Sequence, residues 1–287
     1  MNMSAEVRVL APGKVNFNLH VLPPRADGFH NIESIFQTVS LFDELTVRLE
    51  ENYNACTVEC QEMKLPESNT ITSAYSAFCS LTGFNQSVKV NLVKRIPSGG
   101  GLGGGSSDAA AFVRALSLLS GITVSPEMAD RLAEKIGSDV FFFLHCAHPG
   151  CALVSGRGEV VHPIKVREDI HILLVLPNVH SSTKEAYALV DRELTAGRTV
   201  DCPAFTELES VYNRAVKDWD FANSFTVPVA GKYPEIAEAL MALKKEGALF
   251  ADMSGSGAVV FGVFDTSKAA EDSAQRLRLL GMNCVVA

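Results

Sequence analysis

Six of the seven residues from Gly99 to Gly105 are glycine, and no other stretch restricts the possible folds of this chain as much. Without Cβ atoms the backbone reaches positive φ freely and lies bare to whatever it faces. Ser106, Ser107 and Asp108 come next as N-cap and first-turn residues, and Ala109, Phe112, Val113 and Leu116 recur at helical spacing. The glycine loop therefore runs straight into a helix N-terminus. Bare amides at the positive end of a helix dipole make an anion site, and phosphate is its usual occupant.

A flexible linker is the plainer reading of the same glycines, but linkers are rarely led in by a strand-like run and closed by a capped helix. Two familiar phosphate patterns fit poorly. The P-loop ends in Gly-Lys-Ser/Thr, whereas this loop ends in Gly105-Ser-Ser107. Gly99, Gly101 and Gly104 meet the dinucleotide spacing, as any glycine run does. Arg95, Ile96 and Pro97 separate that loop from the preceding strand, and no clear strand with an acidic end follows the helix.

A chain of 287 residues with 47% hydrophobic and 20% charged residues suits one large domain or two, with a substantial core. The net charge of -8 argues against broad nucleic-acid binding, while leaving room for a local basic pocket. The seven cysteines are scattered, with no CxxC pair, which points to reduced thiols in a cytoplasmic protein. Cys56 and Cys60 lack a second pair or a nearby histidine cluster, so a structural role is expected rather than a metal site. No signal-like N-terminus and no run of about 20 apolar residues is seen, so neither a membrane nor a nucleic acid is an expected partner.

Upstream of the loop, Val7 to Leu10 reads as a short strand that Ala11-Pro-Gly-Lys14 breaks before a second begins. There Val15, Phe17, Leu19 and Val21 alternate with Lys14, Asn16, Asn18 and His20. Solvated strand faces favour Thr, Lys and Glu, so a row with two asparagines points to a binding surface. Pro23 to Gly28 forms a turn presenting Phe29, His30 and Asn31, suited to holding a flat ring or to filling a core. Leu45, Val47 and Leu49 mark another strand, and Ile71 to Phe78 a short helix. Val88, Val90 and Leu92 mark the strand that brings Lys94 and Arg95 to the mouth of the loop, where two cations would complement phosphate.

Beyond the loop helix, Ser125-Pro126 opens a helix with the stripe Met128, Leu132 and Ile136, ended by Gly137. Asp139 follows, ahead of the apolar run Val140 to Leu144, where an acid either caps the next helix or does chemistry. Cys151 to Val161 is strand-like with a turn at Gly156-Arg-Gly158, and the expected domain boundary falls just after it, dividing 1–163 from 164–287. In the second part Ile170 to Leu176 is an apolar strand, and Thr183 to Val190 begins a helix containing Tyr187. Glu207 to Trp219 and Pro234 to Lys245 read as amphipathic helices. Ala251 to Ala258 is a second glycine loop opening into the strand Val259 to Phe264, then Ala269 to Leu280 is a helix and Cys284 to Val286 an edge strand.

Phosphoryl transfer needs backbone and cations around phosphates, an oxygen for Mg²⁺ and a carboxylate to position or deprotonate the acceptor, and the chain carries that inventory. Ala11-Pro-Gly-Lys-Val-Asn-Phe-Asn-Leu19, Pro97-Ser-Gly-Gly-Gly-Leu-Gly-Gly-Gly-Ser-Ser-Asp108 and Met253-Ser-Gly-Ser-Gly257 resemble, in order, the three motifs of the GHMP kinase family. Arg25-Ala-Asp-Gly-Phe-His30, the long glycine loop, Ile136-Gly-Ser-Asp-Val140 and Gly156-Arg-Gly158 bring the resemblance nearest to members acting on 4-diphosphocytidyl-2-C-methyl-D-erythritol.

That resemblance implies a two-domain α/β (α+β) fold, with a ribosomal-S5-like N-terminal ATP-binding and catalytic domain and a ferredoxin-like C-terminal substrate domain. It implies transfer of the γ-phosphoryl of ATP, with Mg²⁺, to the 2-hydroxyl of a cytidine diphosphate methylerythritol in the non-mevalonate isoprenoid route. Asp139 would be the general base and Lys14 its electrostatic partner. Asn16 would bind the acceptor, Phe29, His30 and Tyr187 the cytosine ring, and Thr183 the substrate nearby. Pro97, Gly99, Gly100, Gly101, Leu102, Gly103, Gly104, Gly105, Ser106 and Ser107 would cradle the phosphates, with Lys94 near them and Asn69 at the adenine. Ser106 and Ser107 are candidate Mg²⁺ oxygens, though the metal ligands stay unassigned, and a monomer or weak homodimer is expected. The competing expectations are another small-alcohol kinase of the family, of homoserine or mevalonate type, and a nucleotide-binding regulator without catalysis. Val140-Phe141 stands where the family commonly has Val-Pro, His145 to Pro149 replaces a glycine-rich stretch, and Asn213-Arg214 replaces Asn-Asp.

Overall fold

The computed structural model of the protein describes residues 6–53 and 55–287. The first part of the chain forms β1 (Glu6–Pro24), β2 (His30–Tyr53), β3 (Cys56–Cys60), α1 (Thr70–Thr82), β4 (Gln86–Val93), α2 (Gly104–Ser120), α3 (Pro126–Ile136) and α4 (Ser138–His145). The hairpin β5 (Cys151–Ser155) and β6 (Val160–Ile164) follows, then β7 (His171–Val175) and the helices α5 (Thr183–Thr195), α6 (Leu208–Tyr212), α7 (Thr226–Lys232) and α8 (Pro234–Lys245). The chain closes with β8 (Phe250–Met253), β9 (Val260–Phe264), α9 (Ser267–Leu279) and β10 (Cys284–Val286).

Two compact units interleave along this sequence: one takes the chain through Gly13, Leu41–Ser98 and Gly103–Ala147, the other Lys14–Ser40, Gly99–Leu102 and His148–Ala287. They cut the chain differently from the contiguous division at 163/164 expected from composition.

In the first unit the later half of β2 pairs antiparallel with β4, Val47 opposite Val90, and β3 adds in parallel, Val58 opposite Val90. α1 packs on α2 and α3, and α2 on α4, burying Phe78, Phe112, Leu132 and Phe142. Local chemistry sets the ends of these helices. Asn69 accepts from the amides of Ile71 and Thr72 while the Thr72 hydroxyl accepts from the Asn69 amide, a reciprocal capping box. Ser125 caps α3 ahead of Pro126 at the first helical position, as its sequence predicts.

In the second unit the early half of β2 pairs with β5, which pairs with β6. A separate antiparallel sheet runs β10-β7-β9-β8, with helices between β7 and β8 and α9 between β9 and β10. That β-α-β-β-α-β arrangement is the ferredoxin-like fold expected here. Phe17, Tyr212, Trp219 and Phe261 form its aromatic centre, with Phe17 5.1 Å from Trp219 and 5.7 Å from Phe261 between ring centroids.

Several local expectations need correction. β1 continues through Ala11-Pro-Gly-Lys14, because proline holds φ within the extended range and interrupts the pattern of residue types without bending the backbone out of a strand. The expected helix from Glu207 to Trp219 exists only as α6 flanked by single turns. The Tyr212 carbonyl is claimed there by the Trp219 indole at 3.2 Å and Arg167 at 2.9 Å, so it does not serve a continuing helix. Ala251 to Met253 belong to β8, leaving a shorter second glycine loop. β3, five residues long, and α7, seven, are too short for a periodic pattern to single them out in the sequence.

Candidate active site

The polar row of β1 is buried: Lys14 is 3% exposed, Asn16 1% and Asn18 0%. A buried ammonium must find acceptors, and Lys14 donates to the Asn16 Oδ1 at 2.7 Å and the Gly101 carbonyl at 2.9 Å, with its Nζ 4.8 Å from the centre of the Phe36 ring. The Lys14 amide also donates to the Leu102 carbonyl at 2.9 Å. Ser254, from the second glycine loop, donates its hydroxyl to the same Gly101 carbonyl at 2.9 Å. A Cβ on Gly101, whose φ is +80°, would stand 1.9 Å from the Ser254 carbonyl oxygen, so only glycine lets these segments meet. Asn223 holds the second loop by donating to Met253 O at 2.7 Å and Gly255 O at 2.8 Å. Residues from three remote sequence segments thus converge within one unit.

Gly103 onward belongs to the other unit. The N-cap of α2 is Gly103, at φ +70°, and no side chain caps it, which corrects the reading of Ser106, Ser107 and Asp108 as the cap. The glycine-to-helix transition comes earlier because Gly103 takes a left-handed conformation that side chains resist. The amides of Gly104, Gly105 and Ser106 therefore open the helix without side-chain competition, the arrangement an anion requires. Ser107 Oγ is buried with no hydrogen-bond partner among the described residues. The Thr70 hydroxyl donates to the Gly105 carbonyl at 2.7 Å, fastening the loop exit to the start of α1.

Lys94 lies under Gly104, yet its charge is engaged: it pairs with Asp43 and, at 2.8 Å, with Asp108. Burial alone would lower the Lys94 pKa, and the two carboxylates outweigh it and raise the value. Burial pushes Asp108 up to about 7, against the pull of Lys94 and with the Asp43 charge adding to the rise. Asp43 also accepts the backbone amides of Arg95 at 2.5 Å and Ile96 at 2.8 Å, tying down the strand exit. Lys94 thus braces the loop from beneath rather than offering a free charge to phosphate. The sequence carries no local sign of either partner, since Asp43 lies 51 positions from Lys94 and Asp108 lies 14. Asn69 spends its side chain on the α1 cap and on the Pro66 carbonyl at 3.1 Å. Asp139 is half-buried in the first turn of α4, one position past Ser138 and inside the helix rather than at its N-cap, which is Gly137.

The aromatic candidates gather in the second unit. His30 stacks on Tyr187 with ring centroids 5.2 Å apart, and Phe225 meets Tyr187 edge-on at 4.9 Å. The His30 Nδ1 donates to the Leu22 carbonyl at 2.7 Å, and its Nε2 lies 3.2 Å from Asp191, a carboxylate the sequence did not flag. Phe29 is 50% exposed beside it. Thr183, at the start of α5, shares a 3.0 Å hydroxyl contact with Ser256 of the second glycine loop. His180 packs against Gly99, where a Cβ would lie 2.7 Å from its ring. No group of histidine, cysteine, aspartate or glutamate suited to a metal occurs among the described residues, and no described helix is long and apolar enough to cross a membrane.

The model for the GHMP kinases N terminal domain matches residues 69–147, and that for GHMP kinases C terminal matches residues 209–280. The chain is 40% identical to 4-diphosphocytidyl-2-C-methyl-D-erythritol kinase of Treponema pallidum over 88% of both chains. It is 37% identical to the protein of the same name from Thermotoga maritima, covering 92% of this chain and 94% of that one. Among solved structures, a 4-(cytidine 5'-diphospho)-2C-methyl-D-erythritol kinase superposes with a TM-score of 0.80 at 29% identity over 98% of both chains. A homoserine kinase from Cytophaga hutchinsonii, at 18% identity and a TM-score of 0.70, shares the fold over 100% of this chain and 95% of its own.

Proposed function

This chain belongs to the GHMP kinase family, and on that premise we propose that it transfers the γ-phosphoryl group of ATP to the 2-hydroxyl of 4-diphosphocytidyl-2-C-methyl-D-erythritol, a step toward isoprenoid precursors. The observation that carries this reading is the meeting of Lys14, Gly101 and Ser254, one residue from each family motif. The transition state of phosphoryl transfer is loose, so catalysis rests on positioning and on charge placed where it develops.

Lys14 and Asp139 are the proposed catalytic pair. Lys14 is held by its acceptors in one orientation, which suits an electrostatic partner. Asp139 orients the acceptor hydroxyl and takes its proton as the phosphoryl group leaves ATP. Asn16 is proposed to bind the acceptor, Phe29, His30 and Tyr187 the cytosine, and Thr183 the substrate beside them. Phosphates lie along Pro97–Ser107, with Lys94 bracing the loop and Asn69 near the adenine. The buried, unpartnered Ser107 Oγ fits an oxygen ligand for Mg²⁺, with Ser106 beside it, and the ion would neutralise phosphate charge. A cytoplasmic monomer or weak homodimer completes the proposal.

The test is ADP release by the purified chain from ATP and Mg²⁺ with the cytidylylated methylerythritol, homoserine or mevalonate as acceptor. Turnover with the first alone is the expected result. Turnover with a small alcohol instead, or with no acceptor at all, rejects the reading.

A further inference from the structure

The turn Gly156-Arg-Gly158 carries an arginine that the proposed reaction does not use. We propose that Arg157 is a positioning residue for nucleobase recognition: its guanidinium covers one face of the Phe29 ring, 3.8 Å from Cζ to the ring centre, and reserves the opposite face for the pyrimidine. This rests on the reading of Phe29 as a cytosine platform.

Both partners are presented by fixed backbone. The Phe29 amide donates to Asp27 Oδ1 at 3.1 Å, and its carbonyl accepts from the Arg25 amide at 2.7 Å. The Gly156 carbonyl accepts from the Ile32 amide at 2.7 Å, and the Gly158 amide donates to Ser155 O at 3.1 Å, so the arginine turn is tied to β2 two residues beyond His30. The Glu159 carboxylate accepts the Arg157 amide, and a Cβ on Gly156 would lie 2.6 Å from that carboxylate. With φ +69° as well, position 156 favours glycine, and the backbone of the turn that carries Arg157 is held at both of its glycines.

A phenyl ring that is 50% exposed still turns about its own side-chain bonds, and a base stacking on it must first restrict that motion. A cation over one face selects one orientation and leaves the other face open. The neighbouring His30 ring is already held against Tyr187, so Phe29 is the ring in this group that gains from such a support.

In the full-length chain, CDP binding is titrated calorimetrically without ATP for wild type, R157A, R157K, F29A and R157A/F29A. Loss of the cation should weaken CDP binding about two- to fivefold, the range for an exposed cation–π pair. R157K should recover part of it. The KM for the cytidylyl substrate should rise by the same factor, with kcat and the KM for ATP unchanged. In the F29A background R157A should cost nothing further, because its effect passes through that ring. An undiminished loss in that background means Arg157 touches the ligand itself and overturns the proposal, as does no loss in R157A or a parallel fall in kcat. Wild-type protein that fails to bind CDP rejects the substrate reading and this proposal together, whereas normal CDP binding that R157A leaves intact rejects the proposal alone.

Discussion

The Lys14 ammonium and the Gly101 carbonyl oxygen lie 2.9 Å apart though 87 positions separate them in the chain. The contact pins a glycine of the Gly99–Gly105 loop to the first strand, and it places a buried positive charge against backbone that is proposed to carry phosphate. Under the proposed mechanism, stability and catalysis would both depend on this one side chain.

Lys14→Met should lower kcat by about 10²–10³-fold, the cost of removing one preorganised electrostatic group. It should also destabilise the fold by about 1–3 kcal/mol, because Asn16 Oδ1 and Gly101 O lose a buried donor. Thermal melting and steady-state kinetics separate the two effects, and unchanged turnover removes Lys14 from the mechanism.

Asp139→Asn keeps the shape of the side chain and removes its basicity. A fall in kcat of about 10²–10⁴-fold is expected, with ATP affinity retained by equilibrium titration. Near-normal turnover eliminates Asp139 as the base.

Gly101→Ala meets both positive φ and a backbone oxygen 1.9 Å from the new methyl, and should cost more than about 3 kcal/mol. Gly121 has a similar φ of +72° but nothing within 4 Å, so Gly121→Ala should cost about 1–2 kcal/mol. Equal denaturation midpoints for the two variants would show that the loops do not approach as described.

Asn69→Ala deletes the α1 cap and should cost about 1 kcal/mol. If capping is its whole role, the KM for ATP stays at the wild-type value in protein assayed well below its melting temperature. A severalfold rise in that KM establishes the proposed adenine contact.

Asp252 is buried beside the second glycine loop, and burial pushes its carboxyl up to about 7 against the pull of the Thr226 hydroxyl and the Met253 amide. An acid whose folded value is raised holds its proton longer in the native state. Its contribution to stability is full below the ordinary value of 3.8 and is lost as pH rises through about 7. Asp252→Asn should therefore flatten the decline in Tm between pH 5 and 8, leaving the part due to Asp108, whose value is raised in the same direction. An unaltered slope in the variant rules out titration of Asp252 in that range.

Whatever depends on neighbours within a few positions was legible in the residues themselves. The Ser125-Pro126 helix start, the Pro23–Gly28 turn and the strand leading to Lys94 follow from caps, turn residues and hydrophobic period, whereas the ferredoxin-like order came only with the family resemblance, since β8 reads locally as part of a glycine loop. The three motifs carried the family for the same reason, since each is a short run whose residue types are its chemistry. Only the tertiary structure decided how the charges and carbonyls were shared out. Lys94 stands at the mouth of the loop as expected, but Asp43 and Asp108 engage it, and the Tyr212 carbonyl that a longer helix needed is held by Trp219 and Arg167. A hydrogen-bonding group is satisfied by whichever partner folding brings within about 3 Å, and that competition between remote residues leaves no trace in local pattern.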